Sequence, residues 1–162
     1  MRIGNLILIV SITLIIVSIL GLSKSVYNSY KIDKTNYKAI YNYVNNIDKT
    51  TYDGVLEIPV IDLKTGIVTN VDNGLIFVTD KLIAGHSGNC DACYFNSLDK
   101  LEIGDNVYLY KDKEYRYKVD EIREVDKDNV HIRGDLSLVT CLKRDKDRRL
   151  LINLRLINVL DV

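Results

Sequence analysis

The first hydrophobic feature of the chain is an unbroken run. No residue from Ile3 to Ser23 is charged, and Leu6 to Leu22 is almost continuous Ile, Leu and Val. That is close to the roughly 20 apolar residues a spanning helix needs. Ser11, Thr13 and Ser18 fit such a helix, because their hydroxyls can bond back to its backbone. The run predicts an uncleaved membrane anchor over residues 1–23. A cleaved signal peptide is the competing reading, and it calls for a shorter apolar core and a small-residue cleavage site. Gly21-Leu22-Ser23-Lys24-Ser25 supplies that site poorly. Residues 24–53 are polar and rich in Tyr, Asn and Lys. Val26, Tyr30, Tyr37, Ile40, Tyr41, Val44 and Ile47 recur there at spacings of three and four, which predicts a partly helical stalk.

From Gly54 the rhythm changes to short strands. Val55–Ile58 stops at Pro59. Ile67–Val71 and Leu75–Val78 flank Asp72-Asn73-Gly74, a hairpin-type turn. Lys81–Gly85 is a short apolar run leading into His86, and Leu98–Leu101 reads as one helical turn. Asn106–Tyr110 follows Gly104-Asp105. After the turn Lys111-Asp112-Lys113 comes a long strand, Glu114–Val125, with Tyr115, Tyr117 and Val119 on one face. Asp126–Asp135 reads as a polar loop, Leu136–Cys141 as a strand, Leu142–Arg148 as a charged loop and Arg149–Leu160 as the last strand. Many strands with no long helix between them predict a mainly β domain over 54–162, a barrel or sandwich.

Composition narrows the function. Lys and Arg total 22, as do Asp and Glu, so the net charge is zero and the basic excess of a nucleic-acid binder is missing. Three cysteines are too few for a disulfide framework. Lys24, Lys31, Lys34 and Lys38 follow the apolar run, while Arg2 precedes it. Charge alone therefore places the C-terminal domain in the cytoplasm.

Candidate chemistry is sparse, with two histidines and three cysteines. Cys141 ends a strand in which Ser137, Val139 and Cys141 alternate with Leu136, Leu138 and Thr140. His86 ends another, and Arg148 and Arg149 open the last. A thiol reacts as its thiolate, favoured by a nearby cation, and a guanidinium can hold an oxyanion. Taken singly, the same residues also read as a small core thiol, a surface histidine and a solvated basic pair. His86, Cys90 and Cys93 form a partial metal-ligand pattern that lacks a fourth partner. A loop disulfide between the two cysteines and a pair of free thiols are the other readings. His131 reads as a loop residue, and Asp126, Asp128 and Asp135 as solvated acids.

Leu136-Ser137-Leu138-Val139-Thr140-Cys141 resembles the sortase signature strand that delivers the nucleophile. Arg149-Leu150-Leu151-Ile152 resembles the start of the following strand, and Leu82-Ile83-Ala84-Gly85-His86-Ser87-Gly88 the histidine segment. Gly54–Pro59, Tyr94–Leu98 and Leu101–Asp105 also match, in order. The resemblance implies an eight-stranded β-barrel behind an N-terminal transmembrane helix. It implies a cysteine transpeptidase that cuts an LPxTG-like motif between Thr and Gly, holds the acyl group as a thioester, and passes it to an amine on a peptidoglycan precursor or a pilin. By carry-over Cys141 is the nucleophile, His86 the general acid/base and Arg149 the oxyanion clamp. Ala84, Val139 and Thr140 are expected to bind substrate. No metal or other cofactor is implied. The family works on the outer face of the cell membrane, which overrides the lysine distribution. Ser137 departs from the usual Thr. The lack of an Asp-Pro-aromatic lid and of a second span, with the short loop 126–135, points to a class D-like enzyme. A peptidase releasing the acyl group to water and a catalytically silent binding barrel are the alternatives.

Overall fold

The structure is a computed structural model that describes residues 11–16, 18, 19, 52–68, 74–88, 90 and 92–161. The chain divides into two compact units, Met1–Thr35 and Asn36–Val162. In the first, residues 11–16, 18 and 19 are helical, and Ser18 Oγ donates to the carbonyl of Leu14 at 2.8 Å. Ile12, Leu14, Ile15, Ile16 and Ile19 all face outward. Among the described residues no helix is long and apolar enough to cross a membrane. The rest of the expected span and most of the expected stalk lie outside the described residues.

The second unit carries eight strands: β1 (Gly54–Ile58), β2 (Leu63–Ile67), β3 (Ile76–Thr79), β4 (Leu82–Ala84), β5 (Asn106–Tyr110), β6 (Lys113–Asp126), β7 (Leu136–Leu142) and β8 (Asp145–Asp161). They form one sheet in the order β2-β1-β5-β6-β8-β7-β4-β3. Its two edges approach through a parallel bridge between Ile67 and Leu75, where Val68 N–H donates to the Leu75 carbonyl at 2.7 Å. The result is a nearly closed barrel. Every pairing between neighbours is antiparallel except β4 with β7. Short 3-10 segments occupy Pro59–Ile61 and Tyr94–Lys100.

Strand alternation fills the barrel. Leu56, Ile58, Ile83, Leu136, Leu138, Ile152 and Leu154 are fully buried on the inner face, and Phe95 closes over them from the second 3-10 segment. Tyr117 and Val119 join this core and Tyr115 packs against it, the face expected from the sequence. Burial pushes the Tyr117 phenol up to about 12. Leu82, Val139 and Leu151 form a separate cluster with Ala84, Val125, Val130 and Ile132.

Two sequence expectations need correction. Residues 69–73 of the hairpin expected between 67–71 and 75–78 lie outside the described residues, and at its described ends Ile67 and Leu75 pair parallel, not antiparallel. β2 instead pairs back on β1 across the Pro59–Ile61 turn, with Ile58 opposite Leu63. The charged loop expected over 142–148 shrinks to Lys143 and Arg144, because β8 already begins at Asp145. A register shift after Cys141 absorbs the surplus: Leu142 pairs with Asp145 while Cys141 pairs with Arg149. High charge read as loop, but an exposed strand end tolerates charge on either face.

Candidate active site

The parallel pairing of β4 with β7 brings the histidine segment to the cysteine. Leu82, Ile83 and Ala84 lie opposite Ser137, Leu138 and Val139. The contact continues past the strands. Gly85 N–H donates to the Val139 carbonyl at 3.2 Å, Thr140 Oγ1 donates to the Gly85 carbonyl at 2.8 Å, and Ser87 Oγ donates to the Cys141 carbonyl at 2.5 Å. His86 is thus framed on both sides by bonds to the strand that ends in Cys141. Its own carbonyl accepts Phe95 N–H at 3.1 Å, which ties the segment to the core. Cys141 is the free cysteine and is half-buried.

On the other flank β8 sets Arg149 directly opposite Cys141. Facing residues of an antiparallel pair project to the same side of the sheet. The Arg149 guanidinium donates from Nη1 to the carbonyls of Lys146 (2.8 Å) and Arg148 (3.0 Å). Among the described residues it makes no ion pair. Arg148 is engaged elsewhere: it pairs with Glu124 at 3.0 Å and donates to the Glu124 carbonyl at 3.2 Å, and Arg144 shares the same carboxylate. Of the adjacent arginines, Arg148 is held by the Glu124 carboxylate, whereas Arg149 makes no ion pair among the described residues and sits in register with Cys141.

Ala84 and Val139 belong to the apolar floor described above, against which the 127–135 connection lays Val130 and Ile132. The sequence reading missed these two residues because the connection is polar overall. Their spacing of two within it was the available signal. Thr140 is buried, and its hydroxyl is spent on the Gly85 carbonyl. Ser87 and Asn96 were also missed. Asn96 Oδ1 accepts Gly88 N–H at 2.6 Å, and its carbonyl accepts Lys143 Nζ at 2.6 Å, linking the histidine loop to the β7–β8 turn. A cavity of about 530 Å³ opens beside Cys141 between the Tyr94–Lys100 segment, the end of β6 and that turn. Ser87 and Cys141 line it, whereas His86 and Arg149 do not.

Cys90 and Cys93 form a disulfide, with Cα atoms 5.2 Å apart. In this state neither sulfur is a thiolate ligand, which removes the His86–Cys90–Cys93 metal pattern read from the sequence. No cluster of metal-ligating side chains occurs among the described residues.

Gly85 is fixed by packing. A Cβ there would lie 2.4 Å from Leu75 Cδ2 and 2.9 Å from Phe95 Cδ2, both in the core. Gly85→Ala is expected to lower stability by about 1–3 kcal/mol, the usual range for overpacking. Urea unfolding measures it, and an unchanged midpoint would refute the packing argument.

The family model of the sortase domain matches residues 31–157. Sortase A of Bacillus anthracis is 26% identical over 139 residues, covering 74% of this chain and 65% of that protein's length. Sortase C1 of Streptococcus agalactiae superposes with a TM-score of 0.59 at 27% identity, over 69% of this chain and 70% of that one. Sortase C of Streptococcus pneumoniae gives 0.59 and 27% identity over 75% and 77%.

Proposed function

Because the chain belongs to the sortase family, we propose that it is a cysteine transpeptidase that cuts an LPxTG-like sorting motif between Thr and Gly and transfers the acyl group to an amine. The observation carrying this is the placement of Cys141 between the His86 segment that follows β4 and Arg149 on β8. In the proposed reaction the Cys141 thiolate attacks the Thr carbonyl carbon. Arg149 leaves the Lys146 and Arg148 carbonyls to hold the developing oxyanion, a role suited to a planar donor fork. As the C–N bond breaks, His86 protonates the departing Gly amine, leaving a thioester on Cys141. The acceptor amine then attacks, gives its proton back to His86 and releases the thiolate. The apolar floor around Ala84 and Val139 takes the motif's apolar side chains. Thr140 acts at one remove, by fixing Gly85 beneath that floor.

The acceptor is proposed to be a peptidoglycan-precursor amine or a pilin lysine. The pneumococcal relative's pilin substrate specificity supports the second. The domain is proposed to work outside the cell membrane, behind the apolar run at 1–23. The short connection between β6 and β7 supports a class D-like enzyme. Mass spectrometry of products from a library of LPxTG-like peptides, with and without an amine acceptor, tests the proposal. A new amide is the expected product. Acid alone would make the protein a peptidase, and no cleavage of any member would defeat the reading.

The two arginines offer a sharper test. Arg149→Ala is expected to cost about 10²–10³ in kcat, the usual cost of losing an oxyanion donor. Arg149→Lys is expected to stay close to that level, since a point charge does not reproduce the fork. Arg148→Ala is expected to be mild, because that side chain serves Glu124. Steady-state kinetics decides, and the reverse order would show that the wrong arginine has been assigned.

A further inference from the structure

We propose that the Cys90–Cys93 disulfide is a redox-sensitive positioning element for His86: oxidised, it holds the loop that sets the imidazole beside Cys141, and reduced, it releases that loop and slows transfer. This rests on the reading of His86 as the acid/base. The disulfide lies in the loop that runs from His86 back to the core at Phe95. That loop leaves β4 at Gly85, is clamped to β7 through Ser87, and returns at Phe95, whose N–H holds the His86 carbonyl. Its two limbs are tied by Gly88 N–H on Asn96 Oδ1. Gly88 has φ +136°, a conformation that favours glycine, and a Cβ there would meet Cys93 Sγ at 3.9 Å. The sulfur therefore lies on the side of Gly88 where a side chain would project, close to the limb that carries His86.

The ties at Cys93 itself are long, while Asn96 further along is held by Lys143 Nζ on its carbonyl at 2.6 Å. Cys93 N–H reaches the Cys90 carbonyl at 3.3 Å, and Asn96 N–H reaches the Cys93 carbonyl at 3.3 Å. At Cys93 the covalent link is the firm restraint. It joins residues three apart in sequence. Stabilisation by a cross-link grows with the loop it closes, so a link this short contributes little to the barrel as a whole, and its effect is local.

The two sulfurs differ in access. Cys93 is buried at 8% exposure, whereas Cys90 is exposed. An external dithiol therefore meets Cys90 first. Its thiolate attacks Cys90 Sγ, the S–S bond breaks, and Cys93 leaves with the electron pair and takes up a proton. The dithiol's second thiolate then attacks its own sulfur in the mixed disulfide and frees Cys90 as a thiol. Two electrons and two protons pass from the dithiol, which becomes the oxidised partner. Reoxidation restores the link.

The test equilibrates the full chain in graded ratios of reduced to oxidised dithiothreitol, and compares it with a Cys90→Ser/Cys93→Ser variant. On reduction kcat is expected to fall about three- to tenfold, a modest share of what misplacing a reacting group by an ångström costs. KM for the sorting peptide is expected to hold, because the floor around Ala84 and Val139 is built from other strands. The double variant is expected to show the reduced rate in both buffers, which also separates this effect from any on Cys141. A readout independent of activity is the NMR titration of the two histidines. Reduction is expected to move the His86 curve and leave His131, the internal control, in place. If the double variant does not fold by circular dichroism, reversible reduction of the native chain decides. Unchanged kcat and an unmoved His86 curve on reduction would overturn the proposal, as would equal shifts of both histidines. An oxidised enzyme that forms no thioester, yet shows the His86-specific shift, would instead count against the transpeptidase reading alone.

Discussion

Cys141→Ala is expected to remove the acyl-enzyme altogether and to lower transfer on the order of 10⁶-fold, the scale seen when an acyl-transfer enzyme loses its nucleophile. The reason is structural scarcity. The chain has three cysteines, and two of them are joined to each other. No other thiol stands on a strand flanked by the histidine segment on one side and an arginine on the other. The substitution is also mild for the fold. Cys141 is half-buried at the end of β7, and its carbonyl, which Ser87 holds, belongs to the backbone and survives the change. Intact-protein mass spectrometry after mixing with a sorting peptide reads the result directly, with a thioester adduct in the native chain and none in the variant. Cys141→Ser is expected to give little more, since a hydroxyl at neutral pH is a far weaker nucleophile than a thiolate. An adduct of unchanged yield in Cys141→Ala would place the nucleophile elsewhere, on a sulfur released from the disulfide.

How much of this was legible in the sequence differs by element. β6 was plain because Tyr115, Tyr117 and Val119 alternate with charged residues, and one face of that strand packs on the core. β7 was plain because its apolar run is bounded by polar segments and buried on both faces. The β7–β8 turn was not. Asp145 to Arg148 carry charge because they lie at the barrel's end, where solvent reaches both faces, and charge alone does not tell such a strand end from a loop. β2 was displaced because the strand signal at 67–71 was stronger than the mixed Leu63-Lys64-Thr65-Gly66, whose place is fixed by pairing with β1 and not by its own composition. At the site, the phase of Arg149 could be counted from Leu151, and cross-strand pairing sets it opposite Cys141. The engagement of Arg148 by Glu124 could not be read, because the two lie on different strands far apart in the chain. The disulfide was one of three readings of Cys90 and Cys93, since spacing permits it without requiring it.

His86→Ala is expected to lower kcat by about 10²–10⁴, the range for loss of a positioned general acid/base, while leaving the barrel folded. His86 is only partly buried, and what holds its segment is mostly backbone: the Gly85 carbonyl on Thr140 and the His86 carbonyl on Phe95. Those bonds do not need the imidazole. On the proposed mechanism the loss is expected to fall on proton transfer, at two points of the cycle. Acylation slows because the departing Gly amine leaves unprotonated, and deacylation slows because the acceptor amine keeps its proton. A substrate whose leaving group needs no proton, such as an activated thioester of the same peptide, is therefore expected to acylate Cys141 in His86→Ala far more nearly as in the native enzyme, with transfer to the amine still impaired. Rapid-quench kinetics of both substrates gives the comparison. If His86→Ala acylates with the peptide and with the thioester at equally reduced rates, the imidazole is not the acid for the leaving amine.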